Sequence, residues 1–283
     1  MQLFTNQQMK YSNSQWRLII DVPRNGAWNM ALDEAILESV ARKENLPTLR
    51  LFTWNPFCLS LGYAQPVSDV NLSALEKNGW DLVRRPTGGR AILHAEELTY
   101  SVTAPQDEVR VKGSVLFSYQ QLSRALLYAL KIIGIDADSK PVENNRTDNK
   151  QNPVCFEVPS NYEITYEGKK IVGSAQARRL SGVLQHGAIP LSGDITRIIQ
   201  VLNFSTEASK YIAARQLELR ASTLESILKR SITWDEFAED IIWGFQKELN
   251  MNFIASSLSK GEQDRAGDLV ETKFSNDKWT NRV

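Results

Sequence analysis

Residues 153–176 read Pro153-Val-Cys-Phe-Glu-Val-Pro-Ser-Asn-Tyr-Glu-Ile-Thr-Tyr-Glu-Gly-Lys-Lys-Ile-Val-Gly-Ser-Ala-Gln176. The second half of this stretch sets the fold class. Tyr162–Tyr166 and Lys170–Ser174 alternate and carry β-formers, and Glu167-Gly168 supplies a tight turn between them, so a β-hairpin is expected here. Its return strand ends in Gly173-Ser174-Ala175, small residues that let a ligand or another backbone come close. Cys155 precedes the hairpin, beside an aromatic residue. A thiol ahead of it, an ammonium on the return strand and bare backbone at its end suit acyl chemistry.

Outward from the hairpin, the same alternation recurs. Trp16–Asp21, Thr48–Trp54, Cys58–Tyr63 and Val183–Leu191 read as strands, and two short strands follow the Pro86-Thr-Gly-Gly89 turn. Helices are expected over Trp28–Arg42, where residues 28, 32, 35, 36 and 40 form one apolar face, over Val70–Asn78, and over Ser114–Ile133, which Gly134 stops. Beyond Gly193 the chain reads as mostly helical, at about 195–202, 206–220 and 234–249. Strands mostly precede helices and several neighbours look like hairpins. This favours an α/β (α+β) fold with a mixed, largely antiparallel sheet and packed helices over a doubly wound parallel one. Residues 1–255 are expected to form a single catalytic domain. Residues 256–283 are expected as a polar tail or docking segment, with Trp279 able to return to the body. Asp136–Pro153 is a polar loop.

Composition removes several functional classes. Lys+Arg and Asp+Glu number 33 each, so no basic field argues for nucleic acid. Two cysteines, Cys58 and Cys155, do not make a disulfide framework and fit a reducing cytoplasm. Two histidines and two cysteines without ligand spacing argue against a metal site. The N-terminus lacks a signal-peptide pattern and no run of about 18 apolar residues exists for a membrane span.

Individual residues leave alternatives open. Cys58 lies in an apolar run and reads as a buried small hydrophobe. Cys155 is either a buried, inert thiol or a nucleophile. Its polar flanks place it at an edge rather than inside an apolar run, but a free thiol with pKa near 8.5 is only a few per cent thiolate at neutral pH and needs a cationic partner to be a nucleophile. Alternation puts Lys170 and Ser174 on one strand face and Lys169 and Gly173 on the other, so only one of the two lysines faces a pocket, and periodicity does not say which. Gly88 and Gly89 permit a turn that presents backbone N–H groups, with Arg85 and Arg90 adding charge; alone, such a turn is as well explained as a hairpin connection. His94 and His186 are either general bases or satisfied core histidines.

Taken together, Trp54-Asn-Pro56, Ser60-Leu-Gly-Tyr63, Arg84-Arg-Pro-Thr-Gly-Gly-Arg-Ala-Ile-Leu-His94, Glu97-Leu-Thr-Tyr-Ser101, Gly168-Lys-Lys-Ile-Val-Gly-Ser-Ala-Gln176 and Gln185-His-Gly-Ala-Ile189 resemble, in order, the lipoate–protein ligase and octanoyltransferase family, which is related to biotin–protein ligase. Trp28-Asn-Met-Ala-Leu-Asp-Glu34 resembles its opening helix. Cys155-Phe-Glu-Val-Pro-Ser-Asn-Tyr-Glu163 resembles the cysteine loop of LipM-type octanoyltransferases. One departure is visible: many relatives have His-Asp where this chain has His94-Ala95.

The resemblance implies that Cys155 carries an octanoyl thioester and that Lys170 lowers its pKa. It implies that Arg85, Gly88, Gly89, Arg90, His94, Gly173, Ser174, Ala175, His186 and Gly187 line the substrate site. Octanoyl-acyl carrier protein is the implied donor, and the implied acceptor is a lipoyl domain of the glycine-cleavage H protein or a dehydrogenase E2. No cofactor is expected, because the thioester is already activated, and a monomer is expected. The competing readings are an ATP-dependent lipoate–protein ligase, an amidotransferase between lipoyl domains, and a non-catalytic acyl-binding module.

Overall fold

The computed structural model describes residues 11–140 and 163–283. Its eleven strands are β1 (Ser14–Ile20), β2 (Thr48–Phe52), β3 (Cys58–Leu61), β4 (Asp81–Arg84), β5 (Ile92–His94), β6 (Glu97–Pro105), β7 (Asp138–Lys140), β8 (Glu163–Tyr166), β9 (Lys169–Arg179), β10 (Gly182–Pro190) and β11 (Met251–Ala255). Its helices are α1 (Gly26–Ala41), α2 (Leu72–Lys77), α3 (Val115–Ile132), α4 (Glu207–Arg220), α5 (Leu224–Leu228), α6 (Trp234–Leu249), α7 (Lys260–Leu269) and α8 (Asp277–Thr280). Eight strands form one sheet in the order β11-β1-β2-β6-β10-β9-β8-β7, and β4-β3-β5 form a second. In the large sheet β1 runs parallel to β2 and β11, and the other pairs are antiparallel. The mixed, largely antiparallel sheet expected from the sequence is therefore present.

The hairpin β8–β9 turns at Glu167-Gly168, both at positive φ (49° and 77°), the backbone region that glycine adopts without strain. α3 buries Leu122, Ala125, Leu126, Ala129 and Leu130, spaced at three and four residues, against α6, which contributes Phe237, Ile241, Phe245 and Leu249. The two helices meet closely at Gly244, where a Cβ would lie 2.3 Å from the Ala125 carbonyl oxygen.

α1 departs from the one-faced pattern of its sequence. It is buried on nearly every side, Asn29, Asp33 and Glu34 included. The large sheet covers one side and the C-terminal residues the other: Lys273 pairs with Glu34 (2.6 Å) and Arg265 with Glu38 (2.8 Å). Residues 251–283 form β11, α7, a π-helical turn at Val270–Phe274 and α8. Their hold is partly apolar, with Ala266, Leu269 and Phe274 buried in one cluster with Met30, Leu32 and Ala35 of α1, and partly polar, which hydropathy does not signal. The Trp279 indole donates to the Arg84 carbonyl (2.9 Å), and the buried Arg84 guanidinium donates to the carbonyls of Thr280, Gly62 and Gln65. No helix of the described residues is long and apolar enough to cross a membrane.

α7 is pinned by a buried ion pair. Both guanidinium ends of Arg17 donate to the two Glu262 oxygens (2.5 and 3.0 Å), and the Ser259 N–H caps the helix on Glu262 (2.8 Å). Burial alone would raise the Glu262 pKa, but Arg17 and Ser259 outweigh it and hold the carboxyl below its ordinary value. A depressed carboxylate contributes stability above its unfolded value and loses it as pH falls. Glu262→Gln is expected to lower unfolding free energy by about 3 kcal/mol at pH 7. The gap to the parent protein should close as pH drops below about 4.3, as urea unfolding at a series of pH values will measure.

Candidate active site

A cavity of about 460 Å³ lies where β9 and β10 of the large sheet face the turn that joins β4 to β5. Every candidate residue except Cys155 lines it: Arg85, Gly88, Gly89, Arg90, His94, Lys170, Gly173, Ser174, Ala175, His186 and Gly187. Met30 from α1, Trp54, Ile92 and Ala188 add apolar wall. Cys155 lies outside the described residues, as do residues 141–154 of the polar loop.

Each side chain has an identifiable reason for its place. Of the two hairpin lysines, Lys170 lines the cavity, with its Nζ 2.9 Å from Glu163 Oε1. Lys169 instead donates to the Glu218 carbonyl on α4 (3.0 Å). Ser174 meets the buried Tyr100 hydroxyl at 2.7 Å, and Gln185 Nε2 donates to that hydroxyl (3.0 Å). Gly187 has no room for a side chain: a Cβ would lie 2.5 Å from Ser174 Oγ and 2.9 Å from the Gly173 carbonyl oxygen. Glycine here lets β10 and β9 approach behind the cavity wall.

The Pro86-Thr-Gly-Gly89 turn is braced more than it is charged. Arg85 is buried, and its guanidinium donates to the carbonyls of Gly88, Ser60 and Arg90. Its charge therefore shapes the loop as well as the field in the cavity. Gly89 has φ +95°, and Gly62 packs directly on it.

His94 lies between Trp54, with ring centroids 4.0 Å apart and 13° between planes, and a polar set. Its Nδ1 is 2.6 Å from Glu97 Oε1 and its Nε2 is 2.7 Å from Ser60 Oγ. His186 Nδ1 is 3.0 Å from Asp33 Oδ2, and its Nε2 is 2.7 Å from Thr87 Oγ1. Burial, the largest influence, pushes the His186 pKa down against the pull of Asp33, so the ring is neutral at neutral pH. Both ring nitrogens of each histidine are thus engaged by partners, and both residues line the cavity. Cys58 is fully buried, and burial pushes its thiol well up, away from reactivity.

Residue-by-residue reading of the sequence did not single out Asp33, Thr87, Glu97 or Glu163. Asp33 lies at a helical position flanked by Leu32 and Glu34, where nothing local distinguishes a buried carboxylate from a solvated one. The signal available for the others was their proximity in sequence to His94, Gly88 and Lys170.

Residues 25–246 match the family model described as the lipoyl protein ligase A/B catalytic domain. The octanoyltransferase LipM of Carboxydothermus hydrogenoformans is 37% identical over 265 residues, spanning 93% of this chain and 97% of that one. The octanoyltransferase LipM of Bacillus subtilis is 35% identical over 269 residues, with the same coverage of each chain. Among solved structures, a lipoate-protein ligase A bound with ATP superposes with a TM-score of 0.77 at 27% identity, covering 95% of this chain and 99% of that one. A structure of the bi-partite lipoate protein ligase system of Thermoplasma acidophilum has a TM-score of 0.79 at 24% identity, covering 96% and 98%, and shares the fold.

The glycines of the turn are expected to separate by substitution. A Cβ on Gly62 would lie against the Gly89 carbonyl oxygen, whereas one on Gly88 meets nothing within 4 Å. Gly62→Ala should lower unfolding free energy by about 2 kcal/mol or more. Gly88→Ala should stay within about 1 kcal/mol of the parent. Paired denaturant titrations will test both.

Proposed function

We infer from membership of the lipoyl protein ligase A/B catalytic domain family, to which this chain belongs, that the protein is an octanoyltransferase, an acyltransferase that places an octanoyl group on a lysine of a lipoyl domain. The observation that carries this reading is the position of Lys170, a buried ammonium in the wall of a cavity that also offers apolar surface and a strip of small residues, Gly173-Ser174-Ala175. The near-full-length similarity to proteins named octanoyltransferase LipM points the same way.

The proposed reaction has two acyl exchanges. The Cys155 thiolate attacks the carbonyl carbon of octanoyl-acyl carrier protein; the new C–S bond forms as the carrier's C–S bond breaks, and the carrier sulfur leaves as a thiolate that takes up the proton Cys155 gave up on ionising. The ε-amine of the acceptor lysine then attacks the enzyme thioester. An amide forms, the amine loses a proton, and the Cys155 sulfur departs as thiolate. Splitting one transfer into two lowers the barrier of each. The role assigned to Lys170 is to favour the thiolate over the thiol through its positive charge, while Glu163 keeps the ammonium in place. Backbone N–H groups at Gly173–Ala175 are the candidate donors to each tetrahedral oxyanion, a contribution typically on the order of 10²–10³-fold per donor. The acyl chain lies against Met30, Trp54, Ile92 and Ala188, and the Gly88-Gly89 turn, Arg90, His94 and His186 close around the thioester.

Incubation with octanoyl-acyl carrier protein is expected to give an octanoyl adduct by intact mass, absent in Cys155→Ser, and transfer to a lipoyl domain without ATP. Full transfer activity in Cys155→Ser, or dependence on ATP, overturns the proposal in favour of a ligase; an absent adduct with retained donor binding favours a binding module. Lys170→Met is expected to move the pH midpoint of adduct formation upward, toward the free-thiol value of about 8.5. An unchanged pH profile would remove the role given to that lysine.

A further inference from the structure

Three residues from distant parts of the chain form one hydrogen-bonded line that passes through the cavity wall at His186. Asp33 on α1 is fully buried. Its Oδ1 accepts from Arg50 Nη1 and Ser101 Oγ, both at 2.9 Å, and its Oδ2 faces His186 Nδ1 on β10 at 3.0 Å. His186 Nε2 in turn faces Thr87 Oγ1 at 2.7 Å. Each role in the line is fixed by the one before it. Burial alone would raise the Asp33 pKa, but His186, Arg50 and Ser101 together hold it below the ordinary value. A carboxylate only accepts, so Nδ1 carries the ring hydrogen. Burial keeps the imidazole neutral, with Arg85 and His94 working in the same direction and Asp33 against it. The bare Nε2 then accepts, and the Thr87 hydroxyl donates.

Thr87 is buried and does not itself line the cavity, yet the next two residues, Gly88 and Gly89, do. Other ties of this turn run to its own side of the cavity. The Tyr63 N–H donates to the Thr87 carbonyl (2.8 Å), Arg85 donates to the Gly88 carbonyl (2.8 Å), and Gly62 abuts Gly89. The His186–Thr87 bond instead reaches across to β10, the strand that supplies Gly187 and Ala188 to the opposite wall. It therefore bears on the distance between the two walls. We propose that Asp33, His186 and Thr87 are positioning residues that set the spacing between the Gly88-Gly89 turn and β10, and with it the grip of the cavity on an acyl thioester. The choice of thioester rests on the octanoyltransferase reading; the hydrogen-bonded line does not.

The test compares Thr87→Val, Thr87→Ser and the parent protein, with octanoyl-pantetheine as the acyl donor. Thr87→Val keeps the shape of the side chain and deletes the donor, so KM is expected to rise on the order of tenfold with kcat little changed, the pattern of lost ground-state and transition-state binding alike. Thr87→Ser restores the hydroxyl and is expected to restore KM. Imidazole ¹⁵N spectra of the parent protein are expected to show His186 protonated at Nδ1 and bare at Nε2, with the Nε2 resonance displaced in Thr87→Val. A parental KM in Thr87→Val, or a serine variant no better than the valine variant, overturns the proposal. So does a parent spectrum with the hydrogen on Nε2, a reading that does not depend on any variant folding. A parent protein that neither binds nor turns over octanoyl-pantetheine overturns the octanoyl reading instead, and the spectrum still decides the line itself.

Discussion

Arg50 carries a guanidinium with no exposed surface, and its ion pairs organise the face of the large sheet on which the cavity is built. Asp21, just beyond β1, accepts from Nη2 and Nε; Asp33 on α1 accepts from Nη1; and Asn29 takes two further donors with its backbone and side-chain oxygens. The aromatic ring of Phe52 stacks beneath at 3.8 Å. A buried ion pair is expensive to assemble and, once assembled, costs about 3–5 kcal/mol to break by removing one partner. The geometry therefore admits few alternatives. It fixes the rotation of α1, which places Met30 at the cavity and Asp33 beneath His186. From that point the polar order propagates outward, through imidazole and hydroxyl, to the turn that closes the other wall.

The cavity itself is made by removing side chains. Gly173, Gly187, Gly88 and Gly89 present bare backbone to the cavity, at Gly88 with open space where a Cβ would stand, and Trp54, Ile92 and Met30 add apolar wall. Close backbone approach at Gly62 and Gly187 keeps the walls rigid although they carry little bulk. A site of this kind gains precision from the strands and braced turn that hold it, with the charged groups of Lys170, Glu163 and Arg85 each committed to a partner.

Local periodicity and turn chemistry made much of the fold legible. The β8–β9 hairpin was readable from alternation and from Gly168, the end of α3 from Gly134 at φ +93°, and α6 from its apolar spacing. The candidate cavity residues were legible as motifs, and all those within the described residues meet in one place. What remained hidden depends on partners far away in sequence. β11 pairs in parallel with β1 across more than two hundred residues, and α7, Lys-Gly-Glu-Gln-Asp-Arg-Ala-Gly-Asp-Leu, has too few apolar residues to show periodicity, its buried Ala266 and Leu269 being supplemented by ion pairs to Arg17 and Glu38. Arg85 looked like a charge offered to a ligand, and only the fold shows its bonds to the carbonyls of its own loop. A buried carboxylate such as Asp33 and a solvated one look alike until tertiary structure supplies their neighbours.

The parallel pairing of β1 with β11, together with the anchoring of Arg84 by Trp279 and Thr280, bears on the order in which the molecule can be made. A nascent chain emerges from the ribosome with β1 lacking its outer neighbour, and that neighbour is translated only after the described residues that line the cavity have been synthesised. Until then one rim of the sheet stays open to intermolecular pairing, and contacts of such long sequence separation slow folding. Translation thus leaves a window in which most of the polypeptide exists while the outer edge of β1 still lacks its partner.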